Sequence, residues 1–374
     1  MIVQMAIIWY VTLQTSSGGW VAAFSICSYL PQFLISFWGG AWADRYSHKK
    51  LIILSDGVIA IATLIMFFAM PMISSDSILL SALLGMSIIR SVGAGVQTPA
   101  VNAVIPHLVP EEYLMRHNGI NATLQSIVQF VAPAVAGVVL SIGTFCATLL
   151  IDILTALLGI GLLSCILFPK QSTSNENVSV LSDIKAGIHY SFSDRVIGKI
   201  LVVYGLYILL CVPAGFMAAL LVSRVYGDAY WYLTAVELVG FAGMAIGGVL
   251  MGIWGGFKSR IKTFAAGLSV LGIMTIGMGV SPYFILYLVM MFVYSIALTM
   301  IQTATTTIIQ EKAESSMQGR VFGLMGAMYS GFLPVGMAIF GPLADIVPLQ
   351  WIIAATGIAL VLVSVYLCRS RLGE

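Results

Sequence analysis

The sequence predicts an all-α membrane protein built as two parallel bundles of six helices. Three observations predict it. The chain has 374 residues, of which 60% are hydrophobic and 9% charged, with a mean hydropathy of +1.02; a soluble domain carries about 25% charged residues. Its apolar stretches are long and unbroken, each close to the roughly 20 residues that a helix needs to cross a bilayer. The second half also repeats landmarks of the first, about 200 residues later. So few polar groups could not cover a globule of this size, which excludes a water-soluble enzyme. Disorder is excluded by the abundance of apolar residues. An outer-membrane barrel would show short alternating strands instead of long runs.

The runs fall near 1–14, 19–42, 51–72, 78–104, 118–142, 145–168, 199–223, 229–254, 261–280, 283–308, 320–343 and 349–368. The first is about half a span at ~1.5 Å per residue, and reads as a helix begun part-way, without the charged region and cleavage site of a signal peptide. The expected domains are a bundle over 1–168 with helix 1 truncated, a linker over 169–198 and a bundle over 199–374. In the linker, Ile184, Ile188, Phe192 and Val196 recur every four residues. They read either as a short amphipathic helix at the membrane surface or as a solvated turn.

Basic residues set the orientation. Of seventeen, fifteen fall on one side of the runs: Arg45, Lys49, Lys50, Arg116, Lys170, Lys185, Arg195, Lys199, Lys258, Arg260, Lys262, Lys312, Arg320, Arg369 and Arg371. Arg224 is on the other side and Arg90 lies inside a run. The expectation is a multi-pass protein of a bacterial inner membrane with a cytoplasmic C-terminus. The net charge of +2 carries no nucleic-acid signal. Cys27, Cys146, Cys165, Cys211 and Cys368 lie in or beside apolar runs with no CxxC pair, so they read as apolar filler, not a metal site or disulfide. No P-loop is present. No cofactor is expected; a separate ATP-binding partner protein stays open.

The internal repeat is specific. Run 4 ends in Gln97-Thr98 and is followed by Glu111-Glu112, Arg116 and Gly119; run 10 ends in Gln302-Thr303 and is followed by Glu311, Arg320 and Gly323. Run 5 carries Pro133 and run 11 carries Pro334. Six spans is an even number, so both halves run the same way, a plan that places a binding site between them near mid-membrane.

The loop after run 2 reads Gly39-Gly40-Ala41-Trp42-Ala43-Asp44-Arg45-Tyr46-Ser47-His48-Lys49-Lys50. Its glycines permit close helix approach, and its basic cluster suits the inner leaflet. It resembles the GxxxDRxxxRK signature of the major facilitator superfamily, which implies the major facilitator fold and a conformational latch around Gly40, Asp44, Arg45, Lys49, Lys50, Asp56, Arg116 and Arg320, Asp44 gripping the start of helix 11. The second-half counterpart, Gly252 to Arg260, keeps glycine and basic charge but lacks the acid, so a latch there is expected to be weaker or different. Ala132-Pro133-Ala134-Val135-Ala136-Gly137 resembles a reduced form of the helix-5 antiporter motif of that superfamily. This implies that Pro133, Gly137 and Pro334 serve as hinges; an ordinary kinked helix is the other reading. Arg90-Ser91-Val92-Gly93-Ala94-Gly95 resembles the helix-4 arginine of proton-coupled members, although an arginine that fixes packing through carbonyls is also compatible.

Proton coupling is thus expected at Glu237, Arg90 and Asp152. Helix 8 borders the cleft in this fold and helix 6 is peripheral, so Glu237 is the better carrier and Asp152 the more structural acid; a satisfied structural role is the rival for Glu237. Gln97, Gln125, Gln129, Tyr204, Tyr207 and Gln302 are candidates for the substrate cavity, or equally for helix–helix hydrogen bonds. Nineteen methionines and eighteen phenylalanines supply adaptable surface for a bulky amphiphile. Gln4-Met5-Ala6-Ile7-Ile8-Trp9-Tyr10, Thr98 to Val104, and Gly319-Arg320-Val321-Phe322 resemble the macrolide-efflux branch of drug:proton antiporters. The resemblance implies a proton-coupled exporter of hydrophobic drugs, not an enzyme, powered by the proton gradient. An exporter of a siderophore or other amphiphilic metabolite, or a non-transporting scaffold or receptor, are the alternatives.

Overall fold

Helices dominate because a backbone in lipid must satisfy its own N–H and C=O groups, and here the apolar runs supply little else to bond them. The computed structural model describes residues 2–108, 111–165, 188–314 and 317–369, with backbone alone at 37, 40, 41, 43–45, 102–108, 111–123, 125, 126, 318 and 319. The elements are α1 (Ile2–Thr15), α2 (Gly18–Arg45), α3 (His48–Ala69), a 3-10 turn (Met70–Met72), α4 (Asp76–Leu108), α5 (Glu111–Ile142) and α6 (Phe145–Cys165), then a helical stretch α7 over 188–193. There follow α8 (Arg195–Gly215), α9 (Ala218–Val225), α10 (Tyr230–Trp254), α11 (Arg260–Val280), α12 (Phe284–Lys312), α13 (Gln318–Ile346) and α14 (Leu349–Arg369). Ten described segments are long and apolar enough to cross a membrane, α8 and α9 forming one of them; Ile2–Thr15 and Ile127–Ile142 are shorter apolar helices. This is a multi-pass membrane protein.

Local chemistry sets the ends. Asp194 interrupts the four-residue repeat that ran toward Val196: its carboxylate accepts from Val196 N and Ile197 N, both at 2.8 Å, and caps α8. Helix α8 therefore starts at Arg195, before the expected 199, and Val196 belongs to it. Ile188 and Phe192 on α7 are exposed; Ile184 lies outside the described residues. Buried threonines return their hydroxyls to their own helices, as Thr12 does to Ile8 O and Thr275 to Leu271 O, which satisfies those donors in an apolar setting.

The chain forms two compact units. One comprises Met1–Thr15, Ala23–Glu176 and Ala229–Thr234; the other comprises Ser16–Ala22, Asn177–Asp228 and Ala235–Glu374. In the first, α3 packs on α4 and α6, while α1 packs on α5 and α6. In the second, α11 packs on α12 and α14, while α8 packs on α13 and α14. The same pattern recurs with each helix replaced by its counterpart in the other half, so the repeat read from Gln97/Gln302 and Pro133/Pro334 is a repeat of packing too. Glycine permits a close crossing in the second unit: a Cβ on Gly272 of α11 would lie 2.7 Å from Gly357 O of α14, and one on Gly357 would lie 2.8 Å from Gly272 O. Among the described residues every cysteine is free.

Candidate functional site

The first unit holds a cavity of about 830 Å³. Gln4 of α1, Ser28, Tyr29 and Gln32 of α2, Arg90, Ser91, Gln97 and Thr98 of α4, and Gln129 of α5 line it beside Ile59, Leu124 and Val128. Its polar groups are networked. Gln4 donates to the Ser28 hydroxyl. Ser91 Oγ donates to Ser28 O at 2.7 Å and accepts from Gln32 N at 2.8 Å, which fills the backbone vacancy left around Pro31. Gln97 Nε2 donates to Asp56 Oδ1 at 2.5 Å. Asp56 thus meets the cavity wall through Gln97, whereas the sequence grouped it with the loop charges at Asp44 and Arg45.

Arg90, at the cavity wall, also reaches a carboxylate 62 residues away. Its guanidinium pairs with both oxygens of Asp152, Nη2 to Oδ1 at 3.2 Å and Nη1 to Oδ2 at shorter range, and Nη1 also donates to Thr63 Oγ1 at 2.7 Å. The Thr63 hydroxyl lies 3.1 Å from Asp152 Oδ2. Both side chains are largely buried. The two-point arrangement neutralises each charge within the apolar layer, where either alone would cost about 2.5–3.5 kcal/mol.

Glu237 of α10 lies in the second unit, partly buried. Among the described residues it makes no ion pair and no hydrogen bond. Tyr204 and Tyr207 are buried, their rings 5.8 Å apart, and the Tyr204 hydroxyl donates to Gln302 Oε1 at 3.5 Å. These three sit in the second unit, among helix contacts, and Gln97 and Gln129 line the first-unit cavity. At Gly40, Asp44, Arg45, Arg116 and Gln125 the side chains lie outside the described residues. Lys49 Nζ donates to Ser164 O at 2.8 Å, a cation on the carbonyl end of α6; Lys50 is exposed. Arg320 Nη1 lies 3.1 Å from Met317 S. Pro133 and Pro334 stand inside α5 and α13. Gly137 presses on the Thr234 hydroxyl, leaving no room for a Cβ.

The second-half loop does have an acid, supplied from elsewhere. Arg260 Nε pairs with Glu311 Oε1 at 3.1 Å, and Nη1 donates to Gly255 O at 2.9 Å. Gly255 and Gly256 take φ of +71° and +80°, which turns the loop back onto that arginine. The carboxylate missing from the 252–260 string comes from the end of α12.

One cluster went unread in the sequence. In the second unit Asp345 receives Gly18 N at 2.6 Å, Gly19 N at 2.8 Å and Ser17 Oγ at 2.9 Å. Arg224 Nη2 pairs with it at 2.8 Å while Arg224 Nε donates to Ser16 O at 3.0 Å. Asp345 caps the first turn of α2 from α13, taking up amides that have no partner within the helix. The available signal was Arg224, the one basic residue on its side of the membrane. Asp345→Ala is expected to lower stability by about 1–2 kcal/mol, read as a drop in the thermal unfolding midpoint in detergent, with Asp345→Asn closer to wild type. Equal losses in the two variants would contradict the capping role.

Residues 1–332 match the family model described as Major Facilitator Superfamily. The chain belongs to the major facilitator superfamily. Macrolide efflux protein A of Streptococcus pyogenes is 29% identical over 352 residues, 92% of this chain and 85% of that protein. Macrolide efflux protein A of Enterococcus faecalis is 28% identical over 325 residues, 85% of this chain and 98% of that protein. A bacterial homologue of the human lysosomal transporter Spinster, solved in an inward-facing and unoccupied conformation, shares the fold: TM-score 0.70, 16% identity, covering 100% of this chain and 95% of that one. This superfamily chain is a transporter and not an enzyme. The repeated packing of α3, α4 and α6 in α11, α12 and α14 is the two-bundle plan of the superfamily seen from inside the chain.

Proposed function

We propose that this transporter exports bulky, macrolide-like amphiphilic drugs from the cytoplasm, driven by protons moving inward. The observation that carries this reading is the likeness of 92% of the chain to a macrolide efflux protein. The first-unit cavity supports it. A volume of about 830 Å³ falls at the upper part of the usual range for small-molecule sites. Amides and hydroxyls distributed among apolar side chains suit a ligand with scattered oxygens on a greasy frame.

Protons are assigned to Glu237, with the Arg90–Asp152 pair holding the first bundle and tuning the cavity. The latch residues, Asp44 foremost, are assigned to the conformational step, and the C-terminus to the cytoplasm on the basic-residue asymmetry. Coupling requires that proton and drug favour opposite states of the transporter. Cells producing the protein should accumulate several-fold less of a radiolabelled macrolide than control cells, and a protonophore should abolish the difference. Equal accumulation with and without the proton gradient would remove proton-driven export.

A further inference from the structure

Tyr287 stands one turn into α12, 1% exposed. Its ring is fixed between Phe284, stacked with centroids 6.4 Å apart, and Tyr226, 5.5 Å away. The Tyr226 hydroxyl is engaged with Ser281 O at 2.8 Å. The Tyr287 hydroxyl is buried and has no hydrogen-bond partner among the described residues. A phenylalanine would fill the same space without leaving a buried O–H unmade, so the hydroxyl needs another explanation.

The packing of α10 on α12 supplies one. A Cβ on Gly240 would meet Met291 Cε at 3.4 Å and Ser295 Oγ at 3.6 Å; on Gly243, Phe292 O at 2.5 Å; on Gly247, Ile296 Cα and Thr299 Cβ at 3.0 Å. The contacts advance in the same direction along both helices, so the two run parallel. One turn back from the Gly240–Met291 contact, the same register brings Glu237 of α10 level with Tyr287 of α12. The two are within electrostatic reach of each other. The other titratable groups facing Tyr287 are Tyr226, at the end of α9, and Tyr294, one helical repeat along α12 and hydrogen-bonded to Cys211 of α8. These are two phenols and a thiol, so no fixed charge among them faces Tyr287 beside Glu237.

We infer that Tyr287 is the positioning residue of the proton-carrying carboxyl: its hydroxyl donates a hydrogen bond to Glu237 when that carboxyl is ionised and is released when it is protonated. The inference rests on Glu237 as the proton carrier. Tyr287 keeps its own proton throughout; the proton that moves leaves Glu237 for water and returns from water. The clamped ring makes the hydroxyl a fixed point, and the Glu237 side chain, with three rotatable bonds, swings to it. The ionised carboxyl thereby acquires a donor inside an apolar layer, where a bare charge would otherwise be expensive.

The test is infrared titration of the purified full-length protein, following the Glu237 carboxyl band identified by its loss in Glu237→Gln. Tyr287→Phe is expected to move the midpoint of that band to alkaline pH by about one unit, since the ionised form loses its donor, with thermal stability unchanged or raised. In vesicles Tyr287→Phe should shift the pH profile of proton-driven macrolide export the same way and leave macrolide–macrolide exchange unaltered. An unchanged midpoint, or no band lost in Glu237→Gln, overturns the proposal. A shifted midpoint in a protein that exports no macrolide supports it while refuting the drug-export reading.

Discussion

Glu237→Gln should reduce proton-driven macrolide export to the background of cells lacking the protein, while macrolide binding to the purified protein persists. The reasoning starts from what surrounds the carboxyl. Glu237 has no ion pair and no hydrogen bond among the described residues, so no fixed counter-charge holds it ionised. A carboxyl in that setting is not locked in one charge state by a counter-charge, which a carrier requires and a paired structural acid lacks. Glutamine has the same shape but cannot take up or release a proton. The fold should tolerate it, because no partner is left behind and a polar group that never ionises is easier to keep in an apolar layer. Export assayed in energised vesicles, beside equilibrium binding of labelled macrolide, checks both halves. Wild-type export by the Gln variant would take Glu237 out of the mechanism.

The second large effect is expected at Arg90. Arg90→Ala removes one member of a buried pair and leaves the Asp152 carboxylate facing only Thr63. Breaking a buried pair from one side costs about 3–5 kcal/mol, mostly from the charge left uncompensated. The variant should fold poorly, with a much reduced yield and a lower thermal midpoint. Replacing both residues, as Arg90→Leu with Asp152→Leu, should recover much of that stability, since an apolar pair of similar volume fits a bilayer-embedded bundle. It should not recover transport, because the cavity loses its one guanidinium. If the double replacement is as unstable as Arg90→Ala, the pair is not the source of the loss.

These two acids show how far the residues alone could be read. Both lie inside apolar runs at comparable depth, and nothing in the local sequence distinguishes them except the run each occupies. The more structural role for Asp152 followed from helix order in the resembled fold. Its partner did not, because Arg90 and Asp152 are 62 residues apart and the pairing depends on how α4 and α6 are rotated about their axes. Amphipathic patterning tells that rotation for a soluble helix. Here the helices are apolar nearly all round, so the pattern carries little of it. Asp56 illustrates the same point: the sequence grouped it with the latch charges of the loop, and the rotation of α3 delivers it to Gln97. Gln4 and Gln32 were visible as amides within apolar runs, yet only packing gathers them on one cavity with Ser28 and Arg90.

The amino-acid sequence by itself determined the solvent this protein lives in, the number of long apolar segments and the duplication of its halves. It did so because those properties depend on composition and period along the chain, and lipid admits one backbone solution for runs of that length. It also carried the superfamily, in a charged loop of fixed spacing. Tertiary structure alone decided who meets whom: Asp152 with Arg90, Glu311 in place of the acid absent from the second loop, Asp345 on the first turn of α2, and Tyr287 beside Glu237. Each of those partners comes from a different helix. Their meeting is set by helix rotation and by crossings so close that a Cβ in place of a glycine hydrogen would collide with the neighbouring helix, quantities that no single run of sequence records.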